Sequence, residues 1–131
     1  MTLKVFLVED SAAQRTYLTH ILVTEAEVAI VGMAETEHQA IDWLERNTGQ
    51  WDVALIDLFL GEGTGVGVIQ NCRSRHPGQR VLVMTNHVQN DALLARCKML
   101  GADAVFHKAT ELDSLVVYCS ELAAGKLRCA A

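Results

Sequence analysis

The segment DVALIDLFLGEG, residues 52–63, contains a short apolar run, 53–56, that ends at a single carboxylate, Asp57. Glycines follow within a few residues and interrupt the run. Continuous apolar runs of this length are typical of strands covered on both faces, which occur in parallel sheets. An isolated aspartate at such a point usually caps a turn, so the role of Asp57 depends on what surrounds it in the fold.

Four further apolar runs alternate with segments in which apolar residues have helical spacing. The predicted strands are 3–8, 28–33, 53–56, 80–84 and 104–107. Ser11 with Gln14 and Thr36 with Gln39 have the capping-box spacing that begins a helix. A third helix is predicted at 65–75, a fourth ends at Gly101, and a fifth opens at Thr110 and Asp113. This alternation predicts an α/β fold, a doubly wound (βα)5 unit with a five-stranded parallel sheet.

Composition limits the class of protein. The chain has 131 residues, of which 50% are hydrophobic and 21% charged, so we expect a single domain over 1–131 with an ordered core at about 2–124. The net charge of −5 argues against a nucleic-acid partner. No apolar run spans a membrane, and the N-terminus does not resemble a signal peptide. We therefore expect a cytoplasmic protein, and four dispersed cysteines fit that compartment.

Polar residues follow the predicted strands at one end. Glu9 and Asp10 follow the first strand, Asp57 the third, Thr85 the fourth and Lys108 the fifth. Each has an ordinary explanation alone, as a helix-start acid, a strand-end hydroxyl or a surface charge. In a doubly wound sheet, however, ligands bind beyond the carboxyl ends of the strands. Their joint arrival at that edge therefore predicts a functional site.

The chemistry of this set points to phosphoryl transfer. Three clustered carboxylates repel one another and require a cation, and oxygen ligands suit Mg²⁺. A carboxylate can attack a phosphoryl group and become an acyl phosphate, and Asp57 is the candidate nucleophile because it lies mid-sheet. Mg²⁺, the Lys108 ammonium and the Thr85 hydroxyl could each hold one phosphoryl oxygen.

Two rival motifs are weaker. The glycine-rich segment GEGTGVG, residues 61–67, could cradle phosphates, but Val66 and Val68 occupy the third glycine of GxGxxG and no Walker lysine is present. We predict instead that these glycines let the backbone turn tightly beside Asp57. A haloacid-dehalogenase-type phosphatase would require an acid two residues after the nucleophile, where this chain has Phe59, which argues against rapid turnover.

Together these residues resemble the receiver domain of bacterial two-component response regulators over nearly the whole chain. The matching motifs are LVEDS with Glu9 and Asp10, LIDL with Asp57, then Gly65, VMTN with Thr85, and GADAVFHK with Lys108. The resemblance implies the flavodoxin-like strand order 2-1-3-4-5. It implies that a histidine kinase or phosphotransfer protein phosphorylates Asp57, and that helix four, strand five and helix five form the face that shifts. It also implies Mg²⁺ bound by Glu9, Asp10, Asp57 and the Phe59 backbone carbonyl.

The sequence departs from the family pattern beside the site. Ala109 stands where the family commonly has a proline after the lysine, and a cis bond before a non-proline residue costs about 2.5–4 kcal/mol. Gly61 replaces the usual proline four residues after the phosphorylated aspartate. Val105 occupies the position of the switch aromatic, and alternation puts Phe106 on the opposite side of the strand. We therefore expect an intact site with an altered readout.

No output motif follows the fifth helix, so we interpret the chain as a stand-alone receiver and not an enzyme. It would bind an unknown downstream protein or pass its phosphoryl group onward. Two alternatives stay open: a constitutive interaction module with a relict site, and a slow aspartyl phosphatase. Phe59 and His87, two residues after Asp57 and Thr85, are predicted to flank the path of hydrolytic water and to modulate phosphoryl lifetime.

Overall fold

A computed structural model describes residues 2–86 and 91–125 of the chain. Strands and helices alternate throughout this part. They are β1 Leu3–Val8, α1 Ala12–Glu25, β2 Val28–Ala34, α2 Glu37–Arg46, β3 Val53–Asp57, α3 Gly65–Asn71, β4 Arg80–Thr85, α4 Asp91–Met99, β5 Ala104–His107 and α5 Leu112–Ala123. All pairings are parallel and the strand order is β2-β1-β3-β4-β5. The predicted doubly wound fold and its order are confirmed.

Each face of the sheet carries its own hydrophobic core. Leu7 of β1 and Leu55 of β3 pack on one face with Leu22 of α1 and Leu115 of α5. The alternate side chains of the same strands pack on the other face with α2, α3 and α4, and they include Phe6, Val8, Ala54 and Ile56. Because both faces are covered, every residue of β3 is buried, including Asp57 at its end. This double coverage explains the continuous apolar runs of the sequence.

Local signals in the sequence predict three of the helix ends. Ser11 caps α1 by accepting the Gln14 N–H at 3.3 Å, and Thr36 caps α2 by accepting the Gln39 N–H at 3.1 Å. At the end of α4, Gly101 has φ +111°, a left-handed conformation that suits glycine. These three predictions are confirmed. None of the helices within the described ranges is long and apolar enough to span a membrane.

Two predicted helix boundaries are wrong. Helix α3 ends at Asn71, not at residue 75, because the chain tightens into a turn in which the Arg75 N–H donates to the Cys72 carbonyl at 3.2 Å. The last helix begins at Leu112 with Glu111 as its N-cap. Thr110 lies one residue before this cap, in the loop where its backbone N–H donates to His107 Nδ1.

The cysteines in the described residues are buried, free thiols, at positions 72, 97 and 119. Burial raises the pKa of the Cys72 and Cys119 thiols to about 12. They therefore act as small hydrophobic side chains, as their helical spacing predicted for Cys97 and Cys119. Cys129 lies outside the described residues.

Candidate functional site

Parallel pairing brings three carboxylates together at the carboxyl edge of the sheet. Val8 of β1 pairs with Ile56 of β3, so the next residues of the two chain segments, Glu9 and Asp57, are neighbours. Ligand oxygens of Glu9, Asp10 and Asp57 all lie within 4.8 Å of one another. Glu9 has no exposed surface and Asp57 is 4% exposed, whereas Asp10 is open to solvent.

Lys108 joins this cluster from the loop after β5. Its Nζ donates to Glu9 Oε1 at 2.5 Å and to Asp57 Oδ2 at 3.1 Å. The lysine side chain is only 14% exposed, so water screens these ion pairs less than it would at the surface. Glu9 and Lys108, which directly follow β1 and β5, thus form a buried ionic triad with Asp57 at the end of β3.

The triad shifts the ionisation of two of its members. Burial raises the pKa of Glu9 from 4.5 to about 7, against the hydrogen bond from Lys108, and contacts with Asp10 and Asp57 raise it further. For Lys108, burial alone would lower the pKa of the ammonium, but its hydrogen bond to Glu9 and the charge of Asp57 outweigh burial and raise it. The lysine therefore stays charged, and Glu9 keeps its proton to a higher pH than an ordinary carboxyl group.

The donor set fits a divalent cation. When all four groups are ionised, the three carboxylates and one ammonium carry two excess negative charges. The ligand atoms are oxygens only, and the exposed position of Asp10 leaves room for water on the ion. Mg²⁺ prefers this combination of a few carboxylates with retained water. The residues present therefore fit the Mg²⁺ that the sequence predicted.

Thr85 and Phe59 lie at the same edge of the sheet. Thr85 is the last residue of β4 and has no exposed surface, and its carbonyl accepts the Lys108 N–H at 3.1 Å. The Phe59 N–H donates to Asp57 Oδ1 at 3.2 Å. The Phe59 side chain is 51% exposed. The residues predicted for phosphoryl transfer and metal binding are thus brought to one edge, while His87 lies outside the described residues.

Backbone pairing determines which way Phe59 faces. Phe59 and Thr64 form an isolated antiparallel bridge, and the neighbouring hydrogen bond runs from the Gly65 N–H to the Leu58 carbonyl at 2.9 Å. In such a bridge the backbone groups of the central pair point away from each other. The N–H and carbonyl of Phe59 therefore face the Asp57 side, which suits the predicted role of the carbonyl as a metal ligand.

The glycines between residues 61 and 67 leave space for two different neighbours. A Cβ at Gly65 would lie 2.8 Å from the Leu58 Cα and would also collide with the Asp57 carbonyl, so this glycine permits the tight turn that the sequence predicted. Gly63, with φ +82°, and Gly67 instead face the side chain of Glu37. That contact was not predicted from the sequence.

Arg15 is a second residue that sequence reasoning missed. Its Nη1 donates to the Glu9 carbonyl at 2.7 Å, and its Nη2 pairs with Glu35 Oε1 at 2.8 Å. The guanidinium thus fixes the backbone of a predicted metal ligand. Its position in the first turn of α1 was visible in the sequence, but its reach across to Glu35 depends on the fold.

The β5–α5 loop is organised by His107. The N–H groups of Ala109 and Thr110 donate to His107 Nδ1 at 3.1 and 3.2 Å, and the His107 N–H donates to Glu111 Oε1 at 2.9 Å. No cis peptide bond occurs in the described residues, so the bond between Lys108 and Ala109 is trans. Side-chain hydrogen bonds therefore hold the loop in which the family commonly has proline.

The two candidate switch residues lie on opposite faces, as alternation predicted. Val105 is partly buried against the core that includes α3 and α4. Phe106 is 8% exposed in the core formed with α1 and α5, where its ring meets Tyr118 edge-on at 5.9 Å between centroids. Phe106 therefore does not occupy the place of the family's switch aromatic.

Comparison with known proteins agrees with this architecture. A family model described as the response regulator receiver domain matches residues 5–119. The DNA-binding transcriptional activator DevR/DosR of Mycobacterium tuberculosis is 32% identical over 91 residues, which are 70% of this chain and 41% of that protein. Protein-glutamate methylesterase/protein-glutamine glutaminase 1 of Paramagnetospirillum magneticum is 28% identical over 115 residues, 87% of this chain and 30% of its own. The chain spans less than half the length of both relatives.

Solved structures share the fold. A LuxR-family two-component response regulator from Aurantimonas sp. SI85-9A1 superposes with a TM-score of 0.81 at 22% identity, covering 96% of this chain and 88% of the other. The signal receiver domain of the putative response regulator NarL from Mycobacterium tuberculosis superposes with a TM-score of 0.76 at 24% identity, covering 92% and 97%.

Proposed function

The chain belongs to the family of response regulator receiver domains, and on this premise we propose that Asp57 is its phosphoacceptor. The phosphoryl donor is a histidine kinase or a phosphotransfer protein. The observation that carries this proposal is the buried triad, in which Lys108 Nζ lies 3.1 Å from Asp57 Oδ2 and 2.5 Å from Glu9 Oε1. A carboxylate with an ammonium beside it and two further acids nearby is equipped to receive a phosphoryl group and the cation that accompanies it.

The carboxylate is oriented before the donor arrives. Oδ1 of Asp57 accepts the Phe59 N–H at 3.2 Å, and Oδ2 accepts from Lys108. A side chain fixed at both oxygens loses little freedom when it attacks, which favours reaction. An Asp57 oxygen forms the new bond to phosphorus, the bond from phosphorus to the donor nitrogen breaks, and the donor imidazole leaves with the electron pair.

The neighbouring residues stabilise the charge that develops on the phosphoryl oxygens. The Lys108 ammonium neutralises one oxygen, and the buried Thr85 hydroxyl donates to another. Mg²⁺ held by Glu9, Asp10, Asp57 and the Phe59 carbonyl supplies further charge neutralisation when bound. Arg15 holds the Glu9 carbonyl, and His107 holds the backbone N–H groups of the two residues that follow Lys108.

Output through protein contact is the second part of the proposal. The net charge of −5 disfavours direct contact with nucleic acid by this domain. One curated relative is named as a DNA-binding activator and another as a methylesterase, so similarity extends to proteins with different outputs. We infer that the face formed by α4, β5 and α5 passes the signal to a protein surface, or that Asp57 passes its phosphoryl group onward.

Labelling with Mg²⁺ and a small acyl phosphate tests the assignment. We expect acid-labile phosphate to reach about one per chain in the parent and to be absent in Asp57→Asn. Asp42→Asn is the matched control, because it makes the same change at an exposed residue of α2. Continuous turnover of the donor would indicate a slow aspartyl phosphatase instead. Absence of labelling in the parent would indicate a constitutive interaction module with a relict site.

A further inference from the structure

We propose that Glu37 is a positioning residue for the phosphorylation site, which holds the β3–α3 loop so that the Phe59 backbone faces Asp57. This inference rests on the proposed function, since it concerns how the phosphoacceptor and metal ligands are kept in place. It assigns a role to the glycines of the GEGTGVG segment that the phosphate-cradle and tight-turn interpretations do not provide.

Glu37 contacts the loop through both its backbone and its side chain. As the first residue of α2, it donates its N–H to the Glu62 carbonyl at 3.2 Å. Its Oε1 accepts the Thr64 N–H at 2.7 Å and the Thr64 hydroxyl at 3.4 Å. Glu37 of α2 thus hydrogen-bonds to the loop residues on both sides of Gly63.

The glycines form the space that this carboxylate occupies. A Cβ at Gly67 would lie 2.5 Å from the Glu37 Cδ and Oε2, and a Cβ at Gly63 would collide with the Glu37 Cβ. Real Cβ atoms do not approach other atoms so closely, so a side chain at either position would displace Glu37. Gly63 and Gly67 lie four residues apart and flank Thr64, and together they admit the carboxylate to the first turn of α3.

The Glu37–Thr64 contact is linked to the phosphorylation site through the backbone of Phe59. Glu37 fixes Thr64, and Thr64 forms the antiparallel bridge with Phe59. The Phe59 N–H then donates to Asp57 Oδ1 at 3.2 Å. A displacement of Thr64 therefore moves the backbone group that orients the phosphoacceptor, together with the carbonyl that is expected to bind the metal.

The loop depends on an external anchor of this kind. It contains Gly61 and Gly63, and glycine has the largest backbone freedom to lose when a loop becomes ordered. Residues 61–64 are all exposed, so core packing does not hold them. The carboxylate is also favourably placed for its charge, at the N-terminal end of α2 and beside the N-cap of α3.

Positioning, and not metal ligation, is the role that the geometry gives Glu37. Among the described residues, the carboxylate group whose oxygens lie within 4.8 Å of one another consists of Glu9, Asp10 and Asp57. Glu37 is outside this group, and its Oε1 accepts a hydrogen bond from Thr64. It therefore acts on the site through the loop.

Three substitutions of Glu37 separate its hydrogen bond from its charge. Glu37→Gln keeps an oxygen acceptor at the same reach but loses the charge. Glu37→Asp keeps the charge but is one methylene too short, and Glu37→Ala removes both. Glu45→Ala is the matched control, because Glu45 is exposed on the same helix and its replacement changes the net charge equally. Thermal unfolding of each variant establishes that it is folded.

Magnesium affinity, measured by calorimetric titration, is the primary readout. We expect Glu37→Ala and Glu37→Asp to bind Mg²⁺ about tenfold more weakly than the parent, as is typical when a residue supporting a metal ligand is lost. Glu37→Gln should stay within about twofold of the parent, and Glu45→Ala should be unchanged. Phosphorylation by a small acyl phosphate should be slow in Glu37→Ala at low Mg²⁺ and should recover at saturating Mg²⁺.

The outcomes distinguish this inference from the function on which it rests. If the parent is phosphorylated normally and Glu37→Ala binds Mg²⁺ as tightly as the parent, Glu37 has no positioning role. The assignment of Asp57 as phosphoacceptor is then unaffected. If Glu37→Gln binds Mg²⁺ as weakly as Glu37→Ala, the inference is also overturned. The hydrogen bond from Thr64 to the retained oxygen would then not be enough to position the loop. A parent that neither binds Mg²⁺ nor becomes labelled refutes the proposed function, and the positioning role with it.

Discussion

The Mg²⁺ affinity of this protein should depend on pH near neutrality because of Glu9. Its carboxyl has no exposed surface, and burial raises its pKa from 4.5 to about 7 even though Lys108 donates a hydrogen bond to it. A carboxyl group must lose its proton to bind a metal ion, so Mg²⁺ binding below this pH releases a proton. An exposed carboxyl group, with an ordinary pKa of about 4, is already ionised at pH 6 and would give no such dependence.

The magnitude follows from the pKa. A carboxyl with a pKa of about 7 is ionised in roughly one molecule of eleven at pH 6 and in roughly ten of eleven at pH 8. Linkage then makes the apparent Mg²⁺ affinity about tenfold lower at pH 6 than at pH 8. The raised pKa of Glu9 also affects the stability of the metal-free protein. Because the folded protein holds this proton more tightly than the unfolded chain, metal-free protein loses stability as pH rises from 4.5 through 7.

Calorimetric Mg²⁺ titrations of the parent and of Glu9→Gln at pH 6, 7 and 8 provide the assay. Glutamine keeps the volume of Glu9 and an oxygen for Lys108, but it cannot titrate. We expect Glu9→Gln to bind more weakly and with an affinity that no longer changes between pH 6 and pH 8. Equal parent affinities at pH 6 and pH 8 would show that Mg²⁺ binding does not require Glu9 to lose a proton in this range. A tenfold dependence that survives in Glu9→Gln would show that another group is responsible.

The remaining side chains around the site have consequences that can be measured one at a time. Phe59→Asn should shorten the half-life of the acid-labile phosphate about tenfold, equivalent to about 1.4 kcal/mol of barrier, because the ring is expected to shield the phosphoryl group; an unchanged half-life would contradict shielding. The Phe106 ring should keep its NMR shifts on phosphorylation, since it is packed edge-on against Tyr118; a large reorientation would show that it has become the switch. His107→Ala should slow labelling by releasing the two N–H groups beside Lys108, and His107→Asn should recover part of the rate because its Oδ1 can accept them. Equal rates for parent and His107→Ala would exclude this role.

Much of the fold could be predicted because its signals are local. Strands covered on both faces require continuous apolar runs, which are visible in the sequence. The helix caps at Ser11 and Thr36 are hydrogen bonds between residues three apart, so their residue types also predict them. The site was equally accessible, because parallel strands bring their carboxyl ends to one edge whatever their separation along the chain. Asp57 and Lys108, 51 residues apart, could therefore be placed together from their positions after β3 and β5.

The parts that sequence reasoning missed depend on contacts between distant segments. Glu37 reaches Thr64 across 27 residues, and Arg15 reaches Glu35 across 20. Glycines at 63 and 67 did carry a signal, since two glycines four residues apart beside a strand end indicate close approach by another group, but they could not identify that group. The start of α5 differs from the prediction by a local shift, since the N-cap is Glu111 and not Thr110.

The most direct test of the account is the chemical identity of the labelled residue. After phosphorylation with a small acyl phosphate and Mg²⁺, borohydride reduction converts an aspartyl phosphate to homoserine, which peptide mass spectrometry locates in the chain. We expect homoserine at position 57 alone, in an amount that matches the acid-labile phosphate, and none in Asp57→Asn. Homoserine at Asp10, or phosphate retained at full stoichiometry in Asp57→Asn, would contradict it.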